Sequence, residues 1–215
     1  MELKSDKVEF HKIENLATLN SLTVKSNQNL LIQFESSVSI FGQLNLKITQ
    51  NQNSNLSIIC VFSHSINLNI DITILGDNTI SKIYNLVDLN ASSKAELNQK
   101  ITTQFTNNQV EHFTKIVLDD NSSASVSHIT KAKSFTKNLI LNQKIQALLL
   151  SPKTRVQMKP ILQIESEDVS CKHGSTQGFL DTNVIYYLQS RGLNFETCKQ
   201  LLTDVFKAEI LDMIV

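Results

Sequence analysis

Residues 66–74 read Ile66-Asn67-Leu68-Asn69-Ile70-Asp71-Ile72-Thr73-Ile74, five aliphatic side chains alternating with four polar ones. A period of two puts the aliphatic groups on one face of an extended chain and the polar groups on the other, so the stretch is a strand with one buried and one wet face. Similar patterning recurs at residues 44–48, 56–62, 80–89, 101–105, 116–118 and 139–150. Polar breaks at residues 50–55, 77–78, 107–108 and 119–123 divide these runs as turns do. Helical spacing is rare between residues 20 and 170, which makes this part of the chain all-β.

The sequence has five glycines, two prolines and no Asn-Gly or Asp-Gly pair, so the usual signals of tight antiparallel hairpins are absent. Short strands joined by Asn- and Ser-containing turns suit a parallel β-helix, in which each coil buries its inward residues on the coil before it. No fixed repeat length is legible, and on periodicity alone a β-sandwich stands beside that reading. Beyond Gly178 the spacing becomes helical. Asp181 can cap a helix carrying Val184, Ile185, Tyr187 and Leu188 that stops at Arg191-Gly192, and Asn194 can cap a second with Phe195, Cys198, Leu201, Leu202, Val205 and Phe206 on one face. The expected division is a β-helix core over residues 1–178 and a helical tail over 179–215.

Twenty basic and twenty acidic residues leave no net charge, which argues against nucleic acid or anionic lipid as the partner. The opening Met1-Glu2-Leu3-Lys4-Ser5-Asp6-Lys7 is charged where a signal peptide is apolar, and no apolar run reaches the roughly 18 residues of a membrane helix. A soluble, cytoplasmic protein is expected. Its three cysteines, Cys60, Cys171 and Cys198, are then reduced thiols, and its three glycosylation-type tripeptides carry no meaning. No Gly-x-x-x-x-Gly-Lys-Ser/Thr loop, Gly-x-Gly-x-x-Gly, Gly-x-Ser-x-Gly, His-Glu-x-x-His or Cys-x-x-Cys occurs. Nucleotide binding, hydrolase and zinc motifs are thereby missing.

His11, His64, His112 and His128 stand singly among polar strand or turn residues and read as surface or hydrogen-bonded groups without a role. Cys60, inside Ile58-Ile59-Cys60-Val61-Phe62, and Cys198, on a helix face, read as small core hydrophobes. Cys171-Lys172-His173 differs, because alternate residues of a strand share a face and a thiol then lies beside an imidazole. Both bind iron or zinc, yet two ligands do not make a metal site.

The segment around these residues, Pro160-Ile-Leu-Gln-Ile-Glu-Ser-Glu-Asp168-Val169-Ser-Cys171-Lys-His173-Gly174-Ser175-Thr176-Gln-Gly178, resembles the signature of the SufB/SufD family of iron-sulfur cluster assembly scaffolds. Ile185-Tyr186-Tyr187-Leu188-Gln-Ser190-Arg191-Gly192-Leu193 resembles that family's Leu-Phe-Tyr-Leu-x-Ser-Arg-Gly-Ile segment, in the same order and spacing. SufD-like chains tend to read His-Gly-Ala-Thr where SufB-like chains read His-Glu-Ala-Thr, and His173-Gly174-Ser175-Thr176 favours SufD. The upstream assembly cysteine of SufB-like chains has no counterpart between Cys60 and Cys171.

The resemblance implies a right-handed parallel β-helix with a small C-terminal α-helical domain. It implies a non-catalytic subunit of a SufBCD-type complex, with ATP hydrolysis in a SufC-like ABC-type ATPase and a SufB-like paralogue or a second copy as the other partner. Metal contacts to a transient iron-sulfur cluster or iron at the subunit interface would come from His173 and Cys171, with no nucleotide bound by this chain. The ATPase would dock on the tail through Tyr186, Arg191, Phe195, Leu202 and Phe206. Family members also carry a helical region before the β-helix, whereas this sequence starts almost directly with strands. Two other readings stand beside this one: a carbohydrate-active β-helix enzyme using clustered carboxylates and calcium, and a purely structural partner subunit.

Overall fold

A computed structural model describes residues 8–13, 21–36, 42–134 and 136–214. Its strands are β1 (Val8–Ile13), β2 (Ser21–Val24), β3 (Asn29–Ser36), β4 (Gln43–Gln50), β5 (Asn55–Phe62), β6 (Ile66–Ile74), β7 (Ile80–Leu89), β8 (Lys94–Thr103), β9 (Gln109–Leu118), β10 (Ser123–Ala132), β11 (Leu139–Leu149), β12 (Arg155–Ile164) and β13 (Val169–Phe179). Odd-numbered strands form one sheet in the order β1-β3-β5-β7-β9-β11-β13, and even-numbered strands form a second, β12-β10-β8-β6-β4-β2. The register partners run parallel throughout. Alternation of the chain between two parallel sheets makes a β-helix of about five turns, as the sequence leads one to expect.

The core lies between the sheets. In β6, Ile66, Leu68, Ile70, Ile72 and Ile74 are all buried, and they meet the inward residues of the opposite sheet, such as Leu56, Ile58 and Phe62. Burying each such side chain contributes roughly 1.5–3 kcal/mol. The core strands β5 and β7 are apolar on both faces, because Ile59, Tyr84 and Leu86 point outward into a second cluster with Phe113 and Ile210.

One corner of the coil is held by asparagines in the left-handed backbone region: Asn53 at φ 54°, Asn78 at 58°, Asn107 at 55° and Asn138 at 49°. Asparagine tolerates this conformation better than other non-glycine residues. Their side chains form a ladder, Asn78 Nδ2 donating to Asn53 Oδ1 at 2.9 Å, Asn107 to Asn78 at 3.0 Å and Asn138 to Asn107 at 2.9 Å. Successive rungs are 25, 29 and 31 residues apart, which is why no fixed repeat is legible in the sequence. The ladder gives a direct prediction. Asn107→Val should lower stability in urea unfolding by about 1–2 kcal/mol, since a β-branched residue resists positive φ, and Asn107→Gly by less.

Helix α1 (Thr182–Ser190) is capped by Asp181, whose side chain accepts from the Asn183 N–H at 2.8 Å, and it ends at Arg191 before Gly192 at φ 95°. Helix α2 (Phe195–Leu211) is capped by Asn194, which accepts from the Thr197 N–H at 2.8 Å. Helix α2 lies along the outside of β7 and β9. Its buried anchor is Ile210, and Lys115 of β9, almost wholly covered, reaches Glu209 at 2.6 Å, donates to the Phe206 carbonyl at 2.7 Å and sits 4.5 Å over the Phe206 ring. Lys199–Asp119 at 2.6 Å and Lys207–Asp88 at 3.0 Å flank this contact. No helix among the described residues is long and apolar enough to cross a membrane.

Candidate functional site at the open end

Strand β13 pairs with β11 on one edge and β12 with β10, and each is the last strand of its sheet. In register, Cys171 follows Leu141 and His173 follows Gln143, both buried inward positions. Cys171 and His173 therefore occupy the inward-facing column, but among the described residues no further coil covers them, and both are exposed. Beside them Val156, Met158, Leu162, Ile164 and Val169 are only half-buried and pack on the core from one side. The end of the β-helix is thus an apolar floor bearing a free thiol and an imidazole. Lys172 falls on the outer face, where residues 111–113, 142–144 and 172–174 with Glu209 line a pocket of about 400 Å³.

Among the described residues no group of three His, Cys, Asp or Glu side chains forms a metal-holding cluster. Cys171 and His173 are two donor side chains on one face at the end of the coil, short of a metal-holding set.

The remaining histidines divide. His64 is exposed, beside Ser63, while the side chains of β1, and with them His11, lie outside the described residues, as do Met1 to Lys7. His112 and His128 overturn the surface half of that reading, for both are completely buried with ring centroids 4.8 Å apart, while His128 meets its hydrogen-bonded half through Thr114. They sit at inward positions of β9 and β10, where alternation dictates burial whatever the side chain. Burial holds the His112 ring neutral, pushing its pKa down to about 3, and burial with the neighbouring His112 holds His128 well below its usual value. Around them the interior is polar. Asn85 and Gln99 exchange hydrogen bonds of 3.1 and 2.9 Å, Asn85 donates to Thr114 Oγ1 at 2.8 Å, Thr114 Oγ1 lies 2.9 Å from His128 Nε2, and Gln143 donates to Thr130 at 2.8 Å. Cys60 and Cys198 are core residues, as read from the sequence, and burial pushes the Cys60 thiol up to about 12.

The tail candidates separate by exposure. Tyr186 is 68% and Phe195 48% exposed, Arg191 is exposed with its guanidinium 5.3 Å over the Tyr187 ring, and Leu202 and Phe206 are half-buried, Phe206 against Lys115. Val205, 66% exposed, and Tyr187, 59% exposed, are surface apolar groups that helical spacing had assigned to a packed face.

A parallel β-helix with such an end and a capped helical tail does not by itself define a function, and comparison with known proteins places the chain in a family. Residues 8–206 match the family described as SUF system FeS cluster assembly, SufBD core domain. The chain belongs to this family of iron-sulfur cluster assembly proteins. It is 32% identical over 145 residues to an iron-sulfur cluster assembly SufBD family protein of Synechocystis, covering 66% of this chain and 28% of that protein. The iron-sulfur cluster assembly protein SufD of Escherichia coli is 39% identical over 67 residues, 31% of this chain and 16% of the relative. SufD of Bacillus subtilis is 31% identical over 120 residues, 52% of this chain and 27% of the relative. The chain matches less than a third of the length of each of these relatives.

Proposed function

We propose that this chain is a SufD-like, non-catalytic scaffold subunit of a SufBCD-type assembly in the cytoplasm, and that its open end joins a SufB-like paralogue or a second copy of itself. The observation that carries this reading is the uncovered last coil. Strands of ten and eleven residues, β12 and β13, each present a free edge among the described residues, and a long free edge is a template for pairing with another chain. A second β-helix would cover the apolar floor and enclose Cys171 and His173. The cluster or iron is cargo: His173 donates an imidazole nitrogen, Cys171 a thiolate, and the partner supplies the remaining ligands while water is excluded.

The tail is the proposed dock for a SufC-like ATPase, which would carry out the ATP hydrolysis. Because Ile210 covers Tyr84, Leu86 and Phe113, deleting α2 would disturb the β-helix wall as well as the dock. Exposed positions give the cleaner test. Tyr186→Ala combined with Val205→Asp should weaken binding to the purified ATPase about tenfold or more, an interface hot-spot effect, with thermal unfolding little changed. Undiminished binding by the folded variant would remove the tail from the proposal. For the scaffold role as a whole, co-expression with a SufB-like and a SufC-like chain should yield a complex that holds an iron-sulfur chromophore after anaerobic reconstitution. Failure to form that complex would refute it.

A further inference from the structure

Four buried polar atoms gather behind the open end without a hydrogen-bond partner among the described residues: Nδ1 and Nε2 of His112, Nδ1 of His128 and Oε1 of Gln143. Orphaned acceptors and donors in a core are costly, so such a cluster calls for something to satisfy it. We propose that His112, His128 and Gln143 form an interior binding site for a borderline divalent transition-metal cation, of the Zn²⁺ or Fe²⁺ class.

The donors suit that class. Neutral imidazole nitrogens and a carbonyl-type oxygen favour zinc, iron, cobalt or nickel over calcium and magnesium, which want an all-oxygen shell. Two imidazoles bound at about 2.0–2.1 Å to one tetrahedral ion have ring centroids about 5 Å apart, and the rings here are 4.8 Å apart and unstacked, at 82°. Hydrogen bonds aim the groups. Gln143 Nε2 donates to Thr130 Oγ1 at 2.8 Å and to the Ile161 carbonyl at 3.3 Å, which leaves Oε1 as its free atom. His128 Nε2 lies 2.9 Å from Thr114 Oγ1, a hydroxyl that can accept or donate, and in the tautomer with the proton on Nε2 this nitrogen donates to the hydroxyl while Nδ1 presents a lone pair. No carboxylate is needed if a bound water, acidified by the ion, supplies hydroxide and lowers the net charge.

The site differs from the pair at the end, though it lies beneath it. His112, Gln143 and His173 are successive register partners, so the interior donors are one and two strand spacings, about 5 and 10 Å, below the open end. The inference is independent of the scaffold reading.

The test uses the full chain carrying Cys171→Ser and His173→Ala, so that only the interior can bind. After chelator treatment it is refolded from urea with and without Co²⁺. We expect one equivalent to be retained on dialysis, with visible ligand-field absorption and a raised thermal midpoint. His112→Phe should abolish the absorption and reduce affinity at least tenfold, without lowering the midpoint of the metal-free protein. Should that variant not fold, Gln143→Leu, which removes only the oxygen donor, is read in the same way and should weaken binding severalfold. No retained Co²⁺, absorption or thermal shift, or equal binding by folded variants, would overturn the site and leave ordered water as the occupant.

Discussion

His173→Ala is expected to reduce the iron-sulfur cluster yield of the reconstituted complex by about tenfold or more, the scale at which metal sites respond to loss of a supporting group, and Cys171→Ser by less. The ranking follows from the SufB/SufD resemblance, which is stronger at the histidine. Exposure separates this outcome from a packing effect. A buried, hydrogen-bonded His173 would cost roughly 1–3 kcal/mol on removal, but here the side chain is open to solvent in the single chain, and its loss should change stability by no more than about 0.5 kcal/mol. Anaerobic reconstitution followed by absorption and iron content, beside thermal unfolding of the isolated subunit, reads both quantities. Normal cluster yield from the variant complex would remove His173 as a ligand.

In metal-free buffer, acid should destabilise the chain well before carboxylates titrate. His112 titrates near 3 when folded because burial disfavours its charged form, against about 6.5 when unfolded, so the unfolded state binds a proton that the folded state refuses. Stability attributable to this group is intact above about pH 6.5 and is lost progressively as pH drops toward 3. His128 shifts in the same direction, by burial and then by His112, and adds to the slope. Thr114, Gln143 and Gln99 line this interior and none titrates. Urea midpoints measured between pH 7.5 and 4.5 should therefore fall less steeply for His112→Phe than for the parent chain. Parallel slopes would show that the imidazole is not held neutral by burial.

Where alternation is strict the sequence announces its strands. The run at 66–74 coincides with β6, and Asp181 and Asn194 cap the helices they were expected to cap. The histidine pair was illegible for a physical reason. An inward face is recognised in sequence by its apolarity, and the inward residues of β9 run Val110, His112, Thr114, Ile116, so polar groups at core positions look like solvent-facing ones. Cys171 and His173 could be placed on one face by their spacing, but that this face is left uncovered depends on which coil comes last. The clamp of α2 through Lys115 and Glu209 joins residues far apart in the chain, and no local pattern encodes it.

That clamp has a mechanical consequence. A β-helix held only by contacts between adjacent coils peels one coil at a time from an end under tension, each asparagine rung parting in turn. Helix α2 runs across that grain, engaging Asp88 of β7, Lys115 of β9 and Asp119 beyond it, so a pull on the C-terminus loads three ionic contacts and the Ile210 anchor before a large force reaches the coils. The helix lies as a strap across neighbouring coils, tying β7 to β9 from the outside.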